Sequence, residues 1–392
     1  MATEHVLILL GGLVVFSYIF DLFAKRARVP SVLLLLALGV ALREISVGMG
    51  FPVLATEGLL PTLGTVGLIL IVFDGALELE YNPERRGVIL RALLASFAGL
   101  LLVGAAYTVL LHGLSGASWR ACLANAVPFS VISSAVAIPS ATGLPKARKE
   151  FIIYESSISD ILGVVAFNLF ATSGALDLEH FGGTLFDLLI VVVISLLSCA
   201  GLLWLLSRST HNVRVFLILA LLMMVYGLGK SFHLSSLIII LVFGLFMANL
   251  TQIPLAWLHR MADYPRAAAD RELLHALTRE STFIVRTFFF VLFGYSISLA
   301  TVLRGEVWII VGALLGLLYA SRAVVLGVSM GRVDPATLVL APRGLITVLL
   351  FLSLPADLRI TQVDLPLVVA MVLGTALVMA LVLPMVRMER KP

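Results

Sequence analysis

The sequence predicts an all-α polytopic membrane protein of about thirteen transmembrane helices, arranged as inverted repeats with two broken crossing helices. Three observations carry this expectation. Of 392 residues, 60% are apolar and only 13% are charged, with a mean hydropathy of +1.10, whereas a soluble domain averages about 25% charged residues. Apolar runs recur along the chain at the length of about 20 residues that a spanning helix needs. Two of those runs, one in each half, are interrupted by proline and glycine. The composition excludes disorder, a coiled coil, a disulfide scaffold and a soluble nucleic-acid binder. The pI near 9.2 does not point to a polyanion, because the basic residues sit in short loops between apolar runs, as membrane topology requires. Cys122 and Cys199 lie in apolar segments without CxxC spacing, which argues against a disulfide framework or a zinc site. The seven histidines form no HExxH.

Taken in order, the first run, 5–24, follows a start without Lys or Arg and has no small-residue cleavage site before Lys25, Arg26 and Arg28. It therefore reads as a retained helix. Twelve further spans are expected at 30–47, 59–79, 87–111, 119–143, 149–173, 183–207, 212–229, 232–250, 281–300, 306–329, 335–354 and 364–386. The spans 30–47 and 212–229 are short and would tilt or pair tightly. Loops are short except from Thr251 to Glu280, where Trp257, Leu258, Met261, Leu273, Leu274 and Leu277 alternate with Arg, Asp and His. That stretch is expected to lie along the membrane surface as an amphipathic connector.

Counting Lys and Arg by side orients the chain. Loops after odd-numbered spans, with the C-terminal tail, hold nineteen, and loops after even-numbered spans hold five. The excess places the N-terminus outside and the C-terminus in the cytoplasm, in what is expected to be a bacterial plasma (inner) membrane. The short tail leads to the expectation of a single transmembrane unit over 1–392 without a soluble regulatory domain.

The two interruptions correspond. Span five carries Ala-Ile-Pro-Ser-Ala-Thr-Gly at 137–143 after Ser133-Ser134, and span twelve carries Ala341-Pro342-Arg343-Gly344 in its middle. Paired breaks of this kind point to a transporter whose discontinuous helices cross near the midplane. Charges inside spans cost about 2.5–3.5 kcal/mol on insertion scales, so each needs a partner, water or a task. They are Asp74, Glu155, Asp160, Arg286, Arg322 and Arg343, with Asp21 and Asp187 nearer span ends. Span six is the richest, with Tyr154-Glu155-Ser156-Ser157-Ile158-Ser159-Asp160. Ser156 and Asp160 are i,i+4 neighbours on one face, and Glu155 and Ser159 form a second pair beside them. A hydroxyl next to a carboxylate offers hard oxygen ligands suited to an alkali cation. Arg343 cannot lose its proton and needs a fixed anion, for which Glu155 is the natural candidate.

Glu155-Ser156-x-x-Ser159-Asp160 resembles the Glu-Ser-x-x-Asn-Asp signature of the monovalent cation/proton antiporter superfamily, in its electroneutral sodium/proton exchanger branch. Phe73-Asp74-Gly75-Ala76-Leu77 is similar to that branch's Phe-Asp/Glu-Gly-Gly-Leu stretch, and Pro342-Arg343-Gly344 to its Arg-Gly motif in the late broken helix. Arg28-Val29-Pro30-Ser31 and Phe288-Phe289-Phe290-Val291-Leu292-Phe293-Gly294 resemble further spans of these antiporters. The likeness runs over essentially the whole chain. It implies a core domain at roughly 87–173 and 306–386, which moves against a dimerisation or scaffold domain at roughly 5–79 and 183–300. It also implies that Asp160 alternately carries a proton and ligates the cation, with Ser156 as an oxygen ligand. Glu155 and Arg343 would form a buried charge cluster, joined by Asp74. No cofactor is implied; monovalent cations and protons are the transported partners, the lipid bilayer surrounds the protein, and a homodimer is expected.

Two departures from the pattern bear on the cation. Where the exchangers carry Thr-Asp-Pro in the first crossing helix, this chain has Ser133-Ser134-Ala135. That is closer to the Ser-Ser-Thr-Ala pattern of the superfamily's potassium-efflux branch, so Ser133 and Ser134 join Asp160 and Ser156 as expected cation-binding residues. Ser159 stands where the exchangers carry Asn. Exchange of Na+ or K+ for protons, electroneutral and one-for-one, is the function expected from a single titrating carboxylate. The rival classes are a membrane-embedded lipid-linked transferase and a channel-like subunit. Against the first, the only sizeable loop lacks a DxD or a phosphate-binding glycine motif; against the second, neither a filter-like loop nor a sensing domain is visible.

Overall fold

A computed structural model describes residues 31–50, 59–79, 83–141, 144–172, 214–231, 236–249 and 264–388, together with 11–12, 14–20, 22–23, 190, 193–195, 197–198 and 201. Among these residues every regular element is helical, as the bilayer demands, since a lipid-exposed backbone must satisfy its polar groups within the segment. The helices are α1 (Ser31–Gly48), α2 (Leu59–Glu78), α3 (Arg86–Ser115), α4 (Trp119–Ser130), α5 (Ser134–Ser140), α6 (Lys146–Phe167), α7 (Arg214–Ser231), α8 (Ser236–Asn249), α9 (Tyr264–Tyr295), α10 (Leu299–Val302), α11 (Gly305–Met330), α12 (Pro335–Val339), α13 (Leu345–Leu352) and α14 (Leu365–Met388). Among the described residues, six helical stretches are both long and apolar enough to cross a membrane: Ser31–Gly48, Arg86–Ser115, Trp119–Ser140, Lys146–Ala171, Gly305–Met330 and Leu365–Val386. Exposed positions along them include Leu101, Ile309, Val328 and Leu381, which suits a surface facing lipid. Most of the expected span 183–207, Asp21, Asp187, Cys199 and the first half of the connector with Trp257, Leu258 and Met261 lie outside the described residues.

Two elements differ from the sequence expectation. The second half of the connector is no separate surface segment: α9 runs unbroken from Tyr264 through the expected span and stops at Tyr295. Leu274, Thr278 and Thr282 are buried along it at helical spacing while Leu273 is exposed, so one face of the connector packs inward and the helix simply continues. In span five the break falls at 131–133 rather than at Pro139, which sits inside α5. A proline removes its own N–H and frees the carbonyl four residues earlier. Here that carbonyl, on Ala135, accepts a 3.1 Å bond from Arg286 Nη1, and the helix tolerates the proline.

Packing places the elements around the two breaks. On one side α1 lies on α9, and α2 packs between α8 and α9. The α1–α9 contact is backbone to backbone: a Cβ on Gly39 would strike the carbonyl of Val291, and one on Gly294 that of Leu36. On the other side α3 packs on α4, α6 and α11, while α14 packs on α11 and α12. Tyr107 on α3 donates to the Leu314 carbonyl on α11 at 2.9 Å, tying two of these long helices together. Contacts of α2 with α6 and α13 join the two groups.

Candidate functional site at the helix crossing

The two interrupted helices meet at their breaks. After α4 the backbone is extended at Val131 and Ser133 before α5 begins, and α12 and α13 are separated by residues 340–344. The Ser133 N–H donates to the Pro342 carbonyl at 2.9 Å, which links one break to the other. Gly344 permits this approach, because a Cβ there would meet Oγ and Cβ of Ser133. The Arg343 N–H is taken up by Thr375 Oγ1 on α14 at 3.0 Å. Each break thus leaves backbone groups that side chains must satisfy, since lipid cannot.

Helix α6 satisfies the first break with its polar stripe. Ser159 Oγ accepts from the Ile132 N–H at 3.0 Å, and Asp160 Oδ2 accepts from the Ser134 N–H at 3.2 Å. The Ser134 side chain lies beside the same carboxylate. Asp160 is 5% exposed, and its Oδ1 is fully buried without a hydrogen-bond partner. A carboxylate with one oxygen anchored and one unpartnered can hold a proton or complete the shell of a small cation. Ser156 is buried one turn earlier and donates to the Ile152 carbonyl at 2.7 Å, which leaves its lone pairs. Ser133 is buried as well, with its hydroxyl against the position of Gly344, on the crossing itself.

The second break is held from α11. Arg322 forms a two-point ion pair with Glu155, Nη1 to Oε1 at 3.0 Å and Nη2 to Oε2 at 2.9 Å. It also donates to the carbonyls of Thr337, Leu338 and Leu340, the orphan carbonyls at the end of α12. At the start of α12 Asp334 accepts from the Thr337 N–H at 3.2 Å and pairs with Arg148 at 3.2 Å. These contacts correct the expected charge cluster. Glu155 is partnered by Arg322 and not by Arg343, because the planar fork of Arg322 meets both carboxylate oxygens and the α12 carbonyls at once. Arg343 is 1% exposed; its Nη1 reaches the Ala341 carbonyl at 3.4 Å, and Tyr107 and Tyr319 lie near its side chain. It faces a small cavity of about 20 Å³ that Ser96, Ser130, Ser159 and Arg322 also line.

Asp74 is likewise not part of that cluster. It lies 3.8 Å from His275 Nε2, within the fields of Arg279 and Arg286 on α9 and of Glu78 on its own helix. Glu78 is the residue that sequence reasoning passed over. It accepts a 3.4 Å bond from Ser157 on α6, so it reaches the polar helix from across the packing boundary. The signal was present, since Asp74 and Glu78 are i,i+4 and share a face, but Glu78 lies at the helix end where a carboxylate reads as interfacial.

The family of sodium/hydrogen exchangers, transmembrane region, matches residues 11–388. No curated protein matches the chain. Among solved structures it is similar to the sodium proton antiporter MjNhaP1 of Methanocaldococcus jannaschii at pH 8, with a TM-score of 0.75 at 17% identity over 99% of both chains. An electron-microscopy structure of the same antiporter gives a TM-score of 0.68 at 18% identity, over 100% of both chains.

Proposed function

The chain belongs to the sodium/hydrogen exchanger family and is a membrane-embedded cation/proton antiporter rather than an enzyme, and from that premise we propose that Asp160 carries the proton and the cation in turn. The observation that carries this reading is the Asp160 carboxylate, buried at the crossing with Oδ1 unpartnered. An unpaired charge in a low-dielectric interior is unfavourable. Proton and cation each neutralise it, each excludes the other, and either loaded form can cross while the empty ionised form cannot. That exclusion couples the two fluxes. One carboxylate then gives electroneutral one-for-one exchange by alternating access, with residues 87–173 and 306–386 moving against 5–79 and 183–300.

Sodium and potassium are both substrates in this reading. Ser134 offers a hydroxyl where a second carboxylate would strengthen the field, and a weaker field discriminates less against the cation that sheds water more easily. Ser134, Ser133 and Ser156 supply neutral oxygens, and Glu155 with Arg322 holds the frame. The protein works as a homodimer in a bacterial inner membrane, with the N-terminus outside.

Purified protein in proteoliposomes with an imposed pH gradient tests this. Addition of Na+ or K+ is expected to dissipate the gradient at comparable rates, and Asp160→Asn to abolish the response in a folded sample. One net charge per cycle would add about 2.3 kcal/mol of driving force per 100 mV, so a rate that follows an imposed potential would overturn the electroneutral cycle. Retained flux in Asp160→Asn would overturn the role of Asp160.

A further inference from the structure

We propose that the neighbouring ends of α3, α6 and α11, with Arg86, Lys149 and Arg332, bind the phosphate of an anionic phospholipid, whose acyl chains lie on the exposed apolar faces of α3 and α11. This site is separate from the helix crossing and does not rest on the reading of Asp160.

Two ion pairs bring these ends together. Arg85, just before α3, pairs with Glu150 on α6 at 3.4 Å. Arg148, also on α6, pairs with Asp334 at the start of α12 at 3.2 Å. Arg332 lies in the short turn between α11 and α12, two residues before Asp334. Deeper in the fold α3 and α11 stay side by side, since Ala95 and Ser96 of one and Arg322 and Val325 of the other line the same cavity. Each ion pair ties up a carboxylate, and the charges left over are basic. Arg86, Lys146, Lys149 and Arg332 are all exposed, and no ion pair among the described residues engages them. Glu84, exposed on the turn before Arg86, already has a partner.

Apolar surface continues inward from these charges. Arg86, Leu90, Leu94, Phe97 and Leu101 are exposed along α3 at intervals of three or four residues, so one stripe runs from a guanidinium down a greasy face. On α11 Val324 and Val328 are exposed at the same spacing, and Val333 is exposed beside Arg332. The apolar stripes alone would suit any lipid tail; the charge selects the headgroup. A guanidinium fork takes two phosphate oxygens at once, and the stems of Arg and Lys lie on apolar surface while their heads reach the interface. Basic pockets between helix ends hold anionic headgroups in this way, whereas a zwitterionic headgroup brings an ammonium that offsets the attraction. Membrane topology accounts for basic residues on one side. It does not account for their convergence from three helices, nor for ion pairs that tie up Glu150 and Asp334 beside them.

The test is the melting temperature of the purified, delipidated full chain in detergent, titrated with dioctanoyl phosphatidylglycerol, dioctanoyl phosphatidylcholine or inorganic phosphate. Phosphatidylglycerol is expected to raise it saturably, and the other two to leave it unchanged. Arg86→Gln, Lys149→Gln and Arg332→Gln combined are expected to raise the Kd read from this titration about tenfold, equivalent to about 1.4 kcal/mol. Arg86→Lys with Arg332→Lys is expected to keep most of the affinity, and Arg304→Gln, at the opposite end of α11, all of it. A photoactivatable phosphatidylglycerol added to the unsubstituted protein needs no variant to fold, and is expected to label residues 86–101 and 324–333. An equal shift with phosphatidylcholine shows a general lipid effect, and a shift with inorganic phosphate shows a site for the free anion; either overturns the proposal. So does an unchanged Kd in the triple variant, an equal loss in Arg304→Gln, or labelling confined to other helices. Because none of these readouts uses flux, failure of the antiport reading would leave them unaffected.

Discussion

Asp160 and Glu155 are five residues apart on one buried helix, yet their surroundings differ. Glu155 has both oxygens engaged by Arg322, whereas Asp160 keeps one oxygen unpartnered. Removing one member of a buried ion pair typically costs about 3–5 kcal/mol, because the other charge is left uncompensated. Glu155→Gln and Arg322→Ala should therefore lower the melting temperature in detergent clearly. Asp160→Asn should leave it close to the starting value while abolishing exchange. Equal melting shifts for Glu155→Gln and Asp160→Asn would contradict this division of roles. Ser134→Asp belongs to the same scale: a second carboxylate beside Asp160 strengthens the local field, so relative rates should move toward sodium or lithium and away from potassium. The two carboxylates would then titrate as a coupled pair. Measuring the three cations side by side in the folded variant decides it, and an unchanged ratio counts against Ser134 as a cation neighbour.

At the scale of the element, the crossing depends on two interrupted helices approaching closely enough for Ser133 to donate to Pro342. A methyl group on Gly344 would meet the Ser133 side chain, and overpacking of this kind typically costs about 1–3 kcal/mol. Gly344→Ala should lower both thermal stability and transport, and Ser133→Gly in the same chain should recover part of the stability by vacating the space. A double-mutant cycle on melting temperature reads the coupling directly; strictly additive effects would show that the two breaks do not press on each other there. The same element-scale logic explains Arg286 and Arg322. Each serves backbone carbonyls that a proline or a helix end has released, in surroundings where water cannot do so.

For the whole molecule, the excess of Lys and Arg on one set of loops sets the proposed orientation. Fusing a reporter to the C-terminus tests it: green fluorescent protein should fluoresce and alkaline phosphatase should stay inactive, and the reverse pattern would invert the topology. The division into two helix groups joined through α2 also places Glu78 and Ser157 across a boundary that alternating access would move. The family match over residues 11–388 and the likeness to MjNhaP1 over 99% of both chains extend over both groups.

The sequence by itself determined the all-helical membrane class, the ends of α1, α2 and α11 to within a few residues, the break at Pro342-Arg343-Gly344, and the polar stripe of α6. These follow from local quantities: hydropathy over one helix length, the missing N–H of proline, and the 100° step that aligns residues four apart. Only the tertiary structure decided which buried arginine meets Glu155, where the first crossing helix breaks, and that Glu78 reaches Ser157. Arg322 and Arg343 carry the same charge within apolar spans of the sequence, and that charge does not say which of them meets Glu155. The choice belongs to the tertiary packing, in which α3 lies on both α6 and α11, because a guanidinium pairs with whatever carboxylate the packing brings to about 3 Å, however far apart the two lie along the chain.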